Sequence, residues 1–226
     1  MKAYFISGLG CDRRAFQRIR MPEGFDIVHL EWIPPEPQES LHDYSVRLAR
    51  PIDASLPFIL VGLSFGGMAA IEISKVKQPE KLFLISSVSS WRDLPFLYRF
   101  CGMLSLDRII PASWLKKPNV FINRFFGPLN KQTKPLFNQI LEDTDPFFLK
   151  WALGRISRWR NEQVPSCLVR IHSRNDRVFP GKKFRTGYML SRGGHFCVYT
   201  NGPEINRILA KELQTIHSRD TPPDLL

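Results

Sequence analysis

Phe58-Ile59-Leu60-Val61-Gly62-Leu63-Ser64-Phe65-Gly66-Gly67 decides the reading of this chain. A branched, apolar run ends in Gly-x-Ser-x-Gly, and a helix-compatible stretch from Met68 to Lys77 follows at once. That is a strand, a one-residue corner and a helix. Such a corner drives Ser64 to positive φ, a strained conformation for a residue with a Cβ. Residues two places either side must be small, and Gly62 and Gly66 meet that need. The corner lifts the Ser64 hydroxyl off the sheet edge, where helix N-terminal amides favour negative charge.

Outward from this corner, apolar runs bounded by turn residues recur at 2–7, 26–30, 58–63, 82–86, 167–172 and about 184–190. Each reads as a buried parallel strand. Helical patterns lie at about 12–20, 40–50, 65–77 and 203–217. This alternation predicts an α/β fold: a mainly parallel sheet of about six strands with helices on both faces. Residues 91–165 break the alternation. They hold thirteen of the twenty-seven aromatic residues and prolines at 95, 111, 118, 128, 135 and 146. The pattern is one of short amphipathic helices, with Trp114, Phe121 and Phe125, and Phe147, Phe148, Trp151 and Trp159, at helical spacing. We read them as a helical cap inserted into a core of residues 1–90 and 166–217. Residues 218–226 read as a tail.

Composition bounds the function classes. The run Met1–Gly8 is too short for a signal-peptide core and reads as a first strand. No apolar run is long enough to span a membrane. Cys11, Cys101, Cys167 and Cys197 are scattered, which argues against a zinc site or a disulfide framework and fits a cytoplasmic location. The net charge is +11, yet residues 1–90 are neutral and residues 91–193 carry +12. The plain account is a solvated basic face. The sharper ones are an anionic or carrier-bound acyl substrate, or a membrane surface.

A serine nucleophile needs a base, and the base needs an acid to orient it. Of five histidines, His29 falls in the second strand, His42 near a helix start, His172 at the end of the fifth strand and His217 at the end of the last helix. His195 follows Arg192-Gly193-Gly194 on a loop after the last strand, which suits a base reaching over the sheet edge. Asp176, on the loop after the fifth strand, is the expected acid, with Asp93 the alternative. Arg174 and Arg177 beside it are expected to keep it ionised. The oxyanion donors are expected to be the amides of Phe65 and Leu9, with Gly10 the alternative to Leu9. Gly8-x-Gly10 is followed by Arg13 where a dinucleotide loop has its third glycine, so that fingerprint fails. No nucleic-acid motif is present.

The order Ser64, Asp176, His195, the corner at Ser64, the early glycine loop and the helical insertion together resemble the α/β-hydrolase superfamily, in its cap-bearing, esterase-like branch. The resemblance spans nearly the whole chain. It implies a serine hydrolase acting on an ester or thioester, without metal or organic cofactor. An acyltransferase on the same triad and a non-catalytic binding protein are the alternatives. Two departures stand out: the family's first antiparallel hairpin is missing, and its usual His-Gly in the oxyanion loop is Ser7-Gly8 here.

Overall fold

Six segments rich in branched and aromatic residues form one sheet, because strands covered on both faces need apolar side chains on both. They are β1 (Lys2–Ile6), β2 (Asp26–Leu30), β3 (Phe58–Leu63), β4 (Lys81–Ile85), β5 (Leu168–Ser173) and β6 (Tyr188–Leu190). The computed structural model describes residues 1–104, 133–180 and 186–220. The strands are all parallel and run in the order β2-β1-β3-β4-β5-β6. The family's antiparallel hairpin has no counterpart among the described residues.

The helices are α1 (Leu41–Leu48), α2 (Phe65–Ser74), α3 (Phe96–Met103), α4 (Thr133–Asp143), α5 (Pro146–Arg158), α6 (Cys197–Thr200) and α7 (Gly202–Asp220). The last helix runs past its expected end at 217. The helix expected over 12–20 is a short 3-10 turn, Arg13–Phe16. Beyond it the chain makes turns, with Ile19 donating to Phe16, that return Asp26 to the edge of β1. The sixth strand is shorter than expected. Only Tyr188–Leu190 pair with β5, and residues 184 and 185 lie outside the described residues.

Strand alternation sends side chains to opposite faces, and each face builds its own core. Phe5, Ile59, Val61 and Phe83 pack with Phe16 and with Ile205, Leu209 and Leu213 of α7. Tyr4, Ile6, Leu60 and Leu82 pack with Tyr44 of α1, Met68 of α2 and Trp151 of α5. All residues of β3 and α2 are buried, so the corner between them is held in the middle of the molecule.

The segment from 91 to 165 contributes a 3-10 turn, α3, α4 and α5. Residues 105–132, with Trp114, Phe121 and Phe125, lie outside the described residues. Phe137 and Ile140 of α4 join the α7-side core, while Phe148 and Trp151 of α5 join the α2-side core. The α4–α5 pair therefore straddles the sheet edge. Its turn crosses the loop after β1, where a Cβ on Gly10 would touch Leu141 and Leu149. Pro146 at the start of α5 and the Asp145 carboxylate, which accepts from the Phe147 and Phe148 amides, begin the second helix sharply.

Candidate active site

The chain runs from β1 to β2 on one side and returns to β3 on the other. The crevice beyond the carboxyl ends of β1 and β3 is therefore the switch point where α/β sheets bind ligands. Ser64 stands at one wall of it with φ 51° and ψ −118°. This strained backbone is held on several sides. The Ser64 amide donates to Ile85 O at 2.9 Å, and its carbonyl accepts from Gly67 N at 2.9 Å and from Ser87 Oγ at 2.6 Å. The glycines are sterically required. A Cβ on Gly62 would collide with the Gly67 backbone, and one on Gly66 with the carbonyls of Ile6 and Ser7. Sequence reasoning missed Ser87, because nothing local marks a residue that supports a corner 23 positions away.

Three of the expected residues come together. His195 Nε2 lies 2.8 Å from Ser64 Oγ, and His195 Nδ1 lies 2.9 Å from Asp176 Oδ2. His195 and Asp176 are almost fully buried and Ser64 is half-buried. Gly193, at φ 94°, lets the loop after β6 turn sharply, and its carbonyl accepts from Ser173 Oγ on β5 at 2.7 Å. The other oxygen of Asp176, Oδ1, accepts from Val178 N at 2.8 Å and Phe179 N at 3.0 Å.

Burial would raise the Asp176 carboxyl, but it is outweighed. The charge of His195 and the hydrogen bonds from His172 and His195 hold the carboxyl well below the usual range. The expectation that Arg174 and Arg177 would do this is corrected: both are exposed, and solvent screens them, while the histidines are in contact.

Asp93 is elsewhere. Its Oδ2 accepts from the amides of Ser89 and Ser90 and lies 3.4 Å from Arg170 Nη2, so it caps a turn and neutralises an arginine. His29 packs among the rings of Phe5 and Phe16, where burial lowers its proton affinity. His42 Nδ1 meets Glu72 Oε2 at 3.1 Å, and His217 lies in α7. Cys197 is two residues from His195, but its thiol is buried, pushed up to about 12 by that burial, and set 3.1 Å from Ser86 Oγ. A protonated thiol there is no rival nucleophile.

The opposite wall is the loop after β1. Cys11 N donates to Gly8 O at 3.0 Å, closing a turn whose third residue, Gly10, has φ 67°. Ser7 Oγ, standing where the family has histidine, ties the turn by donating to Cys11 O at 2.7 Å. Gly8 abuts Ser64: a Cβ there would be 3.3 Å from Ser64 Cβ. Among the described residues, neither the Leu9 amide nor the Phe65 amide makes a hydrogen bond.

Aromatic side chains surround the site. Trp32 donates from Nε1 to Gly8 O at 3.3 Å and packs on Phe65 and Phe148, with ring centroids 5.4 and 5.0 Å away. On the other side Phe179 meets His195 edge-on at 5.6 Å, and Tyr98 of α3 meets Phe179 at 6.1 Å. A cavity of about 230 Å³ beside the first loop is lined by Cys11, Trp32, Ile33 and Phe148, with the carboxylates of Asp12, Glu31, Asp143 and Asp145 around it. Arg14 pairs with two of these, Asp12 and Asp143, at 2.6 Å each. Among the described residues no group of acidic, histidine and cysteine side chains is clustered to hold a metal, and no helix is long and apolar enough to cross a membrane.

Residues 3–207 match the model of the alpha/beta hydrolase family. Solved structures share the fold at low identity. A thermophilic esterase from Thermogutta terrifontis aligns with TM-score 0.73 and 12% identity, covering 96% of this chain and 90% of its own. A lipase-esterase related protein from Clostridium acetobutylicum aligns with TM-score 0.67 and 15% identity, covering 92% of each chain. The meta-cleavage product hydrolase of Pseudomonas fluorescens aligns with TM-score 0.67 and 14% identity, covering 96% and 91%. No curated protein matches by sequence.

Proposed function

The chain belongs to the alpha/beta hydrolase family, and from that premise we propose that it is a serine hydrolase cleaving an ester or thioester of a small, partly apolar acyl substrate. The observation that carries this is the bridge made by His195, 2.8 Å from the Ser64 hydroxyl and 2.9 Å from the Asp176 carboxylate. Ser64 is the nucleophile, His195 the base and Asp176 the acid that orients it. As Oγ bonds to the substrate carbonyl carbon, its proton passes to Nε2. The developing imidazolium is held by Asp176, which stays ionised.

The carbonyl oxygen, now an anion, needs donors that are not already committed. The amides of Leu9 and Phe65 flank Ser64 from the two walls of the crevice and are the donors of choice. Collapse breaks the bond to the leaving oxygen or sulfur, which takes the proton from Nε2. Water repeats the sequence on the acyl-enzyme, giving up a proton to His195, and the acid leaves as Oγ recovers it.

We read α3, α4 and α5 as part of a cap whose inner side shapes the acyl pocket. The rings of Trp32 and Phe148 supply apolar surface. Four acidic residues line the cavity beside the first loop and Arg14 offsets part of their charge, so the remainder favours a neutral or cationic group over an anionic one there. That observation supports a neutral acyl ester. The test is a fluorophosphonate probe, which should label the wild type at Ser64 and leave the Ser64→Ala variant untouched. An unlabelled wild type refutes the proposal.

A further inference from the structure

A second histidine reaches the acid of the site. His172, the fifth residue of β5, is almost fully buried, and its Nε2 is 2.6 Å from the Phe179 carbonyl and 3.2 Å from Asp176 Oδ2. A carbonyl oxygen only accepts, so Nε2 carries a hydrogen. The positive end of that N–H lies against the oxygen that also meets His195 Nδ1 at 2.9 Å. With Val178 and Phe179 on Oδ1, the carboxylate has four N–H groups around it, matching its acceptor capacity.

Phe179 is held three ways in this arrangement. Its amide donates to Asp176, its carbonyl accepts from His172, and its ring meets His195 edge-on. His172 therefore spans the loop of residues 176–179 at its base. It ties the residue that covers His195 to the residue that orients it.

We propose that His172 is a positioning residue for the reaction: its Nε2–H clamps the Asp176–Phe179 loop and fixes which way Oδ2 faces, and so where His195 stands relative to Ser64. This rests on the hydrolase reading only in its kinetic arm. Glutamine can place an amide N–H where Nε2 stands. Asparagine is polar but too short to reach Phe179.

The experiment compares His172→Gln with His172→Asn in the full chain. It measures fluorophosphonate labelling of Ser64 and the imidazole N–H proton resonance of His195 by NMR. A displacement of the base by even 1 Å can cost about 10²-fold, so His172→Asn should slow the maximal labelling rate by about ten- to a hundred-fold. The half-saturating probe concentration should not change. The His195 resonance should move. His172→Gln should restore the rate to within about three-fold and the resonance to its wild-type position.

Wild-type labelling by His172→Asn overturns the proposal. So does equal slowing by Gln and Asn, since only the donor's reach separates them. If the Asn variant does not fold, His172→Met keeps the site filled without a donor and takes its place. If the wild type is not labelled, the hydrolase reading falls, and the NMR comparison, which needs no reaction, still decides the role of His172.

Discussion

Replacing Asp176 by asparagine removes one charge and keeps the shape, and the surroundings dictate how the new amide must sit. Oδ1 of Asp176 accepts from two backbone amides, Val178 N and Phe179 N. The carbonyl oxygen of an asparagine must therefore stay on that side. Its NH2 group then faces His195, whose Nδ1 has to accept instead of donate, and His172, whose Nε2–H keeps only its bond to the Phe179 carbonyl. The remaining imidazole proton moves to Nε2, 2.8 Å from Ser64 Oγ. A base with its proton already in place cannot take another from the nucleophile.

The escape is to flip the amide, which would present oxygen to His195 and restore the working tautomer. Flipping leaves the two backbone donors facing an NH2 group, and an unpaired buried donor costs about 1–3 kcal/mol. Two of them hold the working form to at most about 3%, at the rate of 1.4 kcal/mol per decade. The expected loss in kcat thus lies between about thirty-fold and the roughly 10⁴-fold seen when a triad is locked in the wrong tautomer. The assay is turnover of a neutral chromogenic acyl ester, with the His195 tautomer read from imidazole nitrogen shifts. Asp93→Asn is the control and should change the rate little, since Asp93 contacts Ser89, Ser90 and Arg170 instead. A loss below about ten-fold for Asp176→Asn, or a larger loss for Asp93→Asn, refutes the reasoning.

Ser64→Ala should lower kcat by about 10⁴–10⁶-fold while the fold survives; turnover above a tenth of wild type would remove Ser64 from the nucleophile's place. Gly66→Ala should destabilise by at least about 2 kcal/mol, because the new methyl meets backbone carbonyls of Ile6 and Ser7 that cannot swing aside; an unchanged melting temperature would contradict this. Asp176 has a folded-state carboxyl held below its unfolded value, so its contribution to stability is present above about pH 4 and is lost as the pH falls further. The stability gap between wild type and Asp176→Asn should accordingly shrink in acid, and a gap equal at neutral and strongly acidic pH would show that the charge contributes nothing. Added salt should leave kcat/KM for a neutral ester nearly unchanged, while several-fold weakening confined to an anionic ester would locate part of the +12 of residues 91–193 at the mouth of the site.

Much of this molecule is written in short stretches. Strands β1 to β5 lie within a residue or so of the apolar runs that announce them, because buried parallel strands need an unbroken apolar sequence. The corner at Ser64 is equally local. Gly62 is required by the Gly66 and Gly67 backbone and Gly66 by the end of β1, and both glycines fall within a ten-residue window around Ser64 that carries the signal. His195 is legible from its glycine loop and from its place after the last strand.

Other features depend on what distant segments do. Asp93 and Asp176 each follow a strand, and only the tertiary structure separates them, by putting Arg170 beside one and His195 beside the other. The charge that holds Asp176 ionised comes from histidines inside the protein and not from its arginine neighbours in sequence. Adjacency along the chain says nothing about which groups share a low-dielectric environment. His172 reads as one more strand residue until the turn of residues 176–179 folds back and brings a carbonyl and a carboxylate to the same nitrogen. The acidic lining beside the first loop, in a chain of net charge +11, is likewise a product of packing, because α4 and the start of α5 bring Asp143 and Asp145 to Asp12 and Glu31. Local sterics and hydrophobic pattern specify the strands and the corner from sequence alone. Which charged groups meet is settled by long-range packing, where contact distance and burial decide the energy.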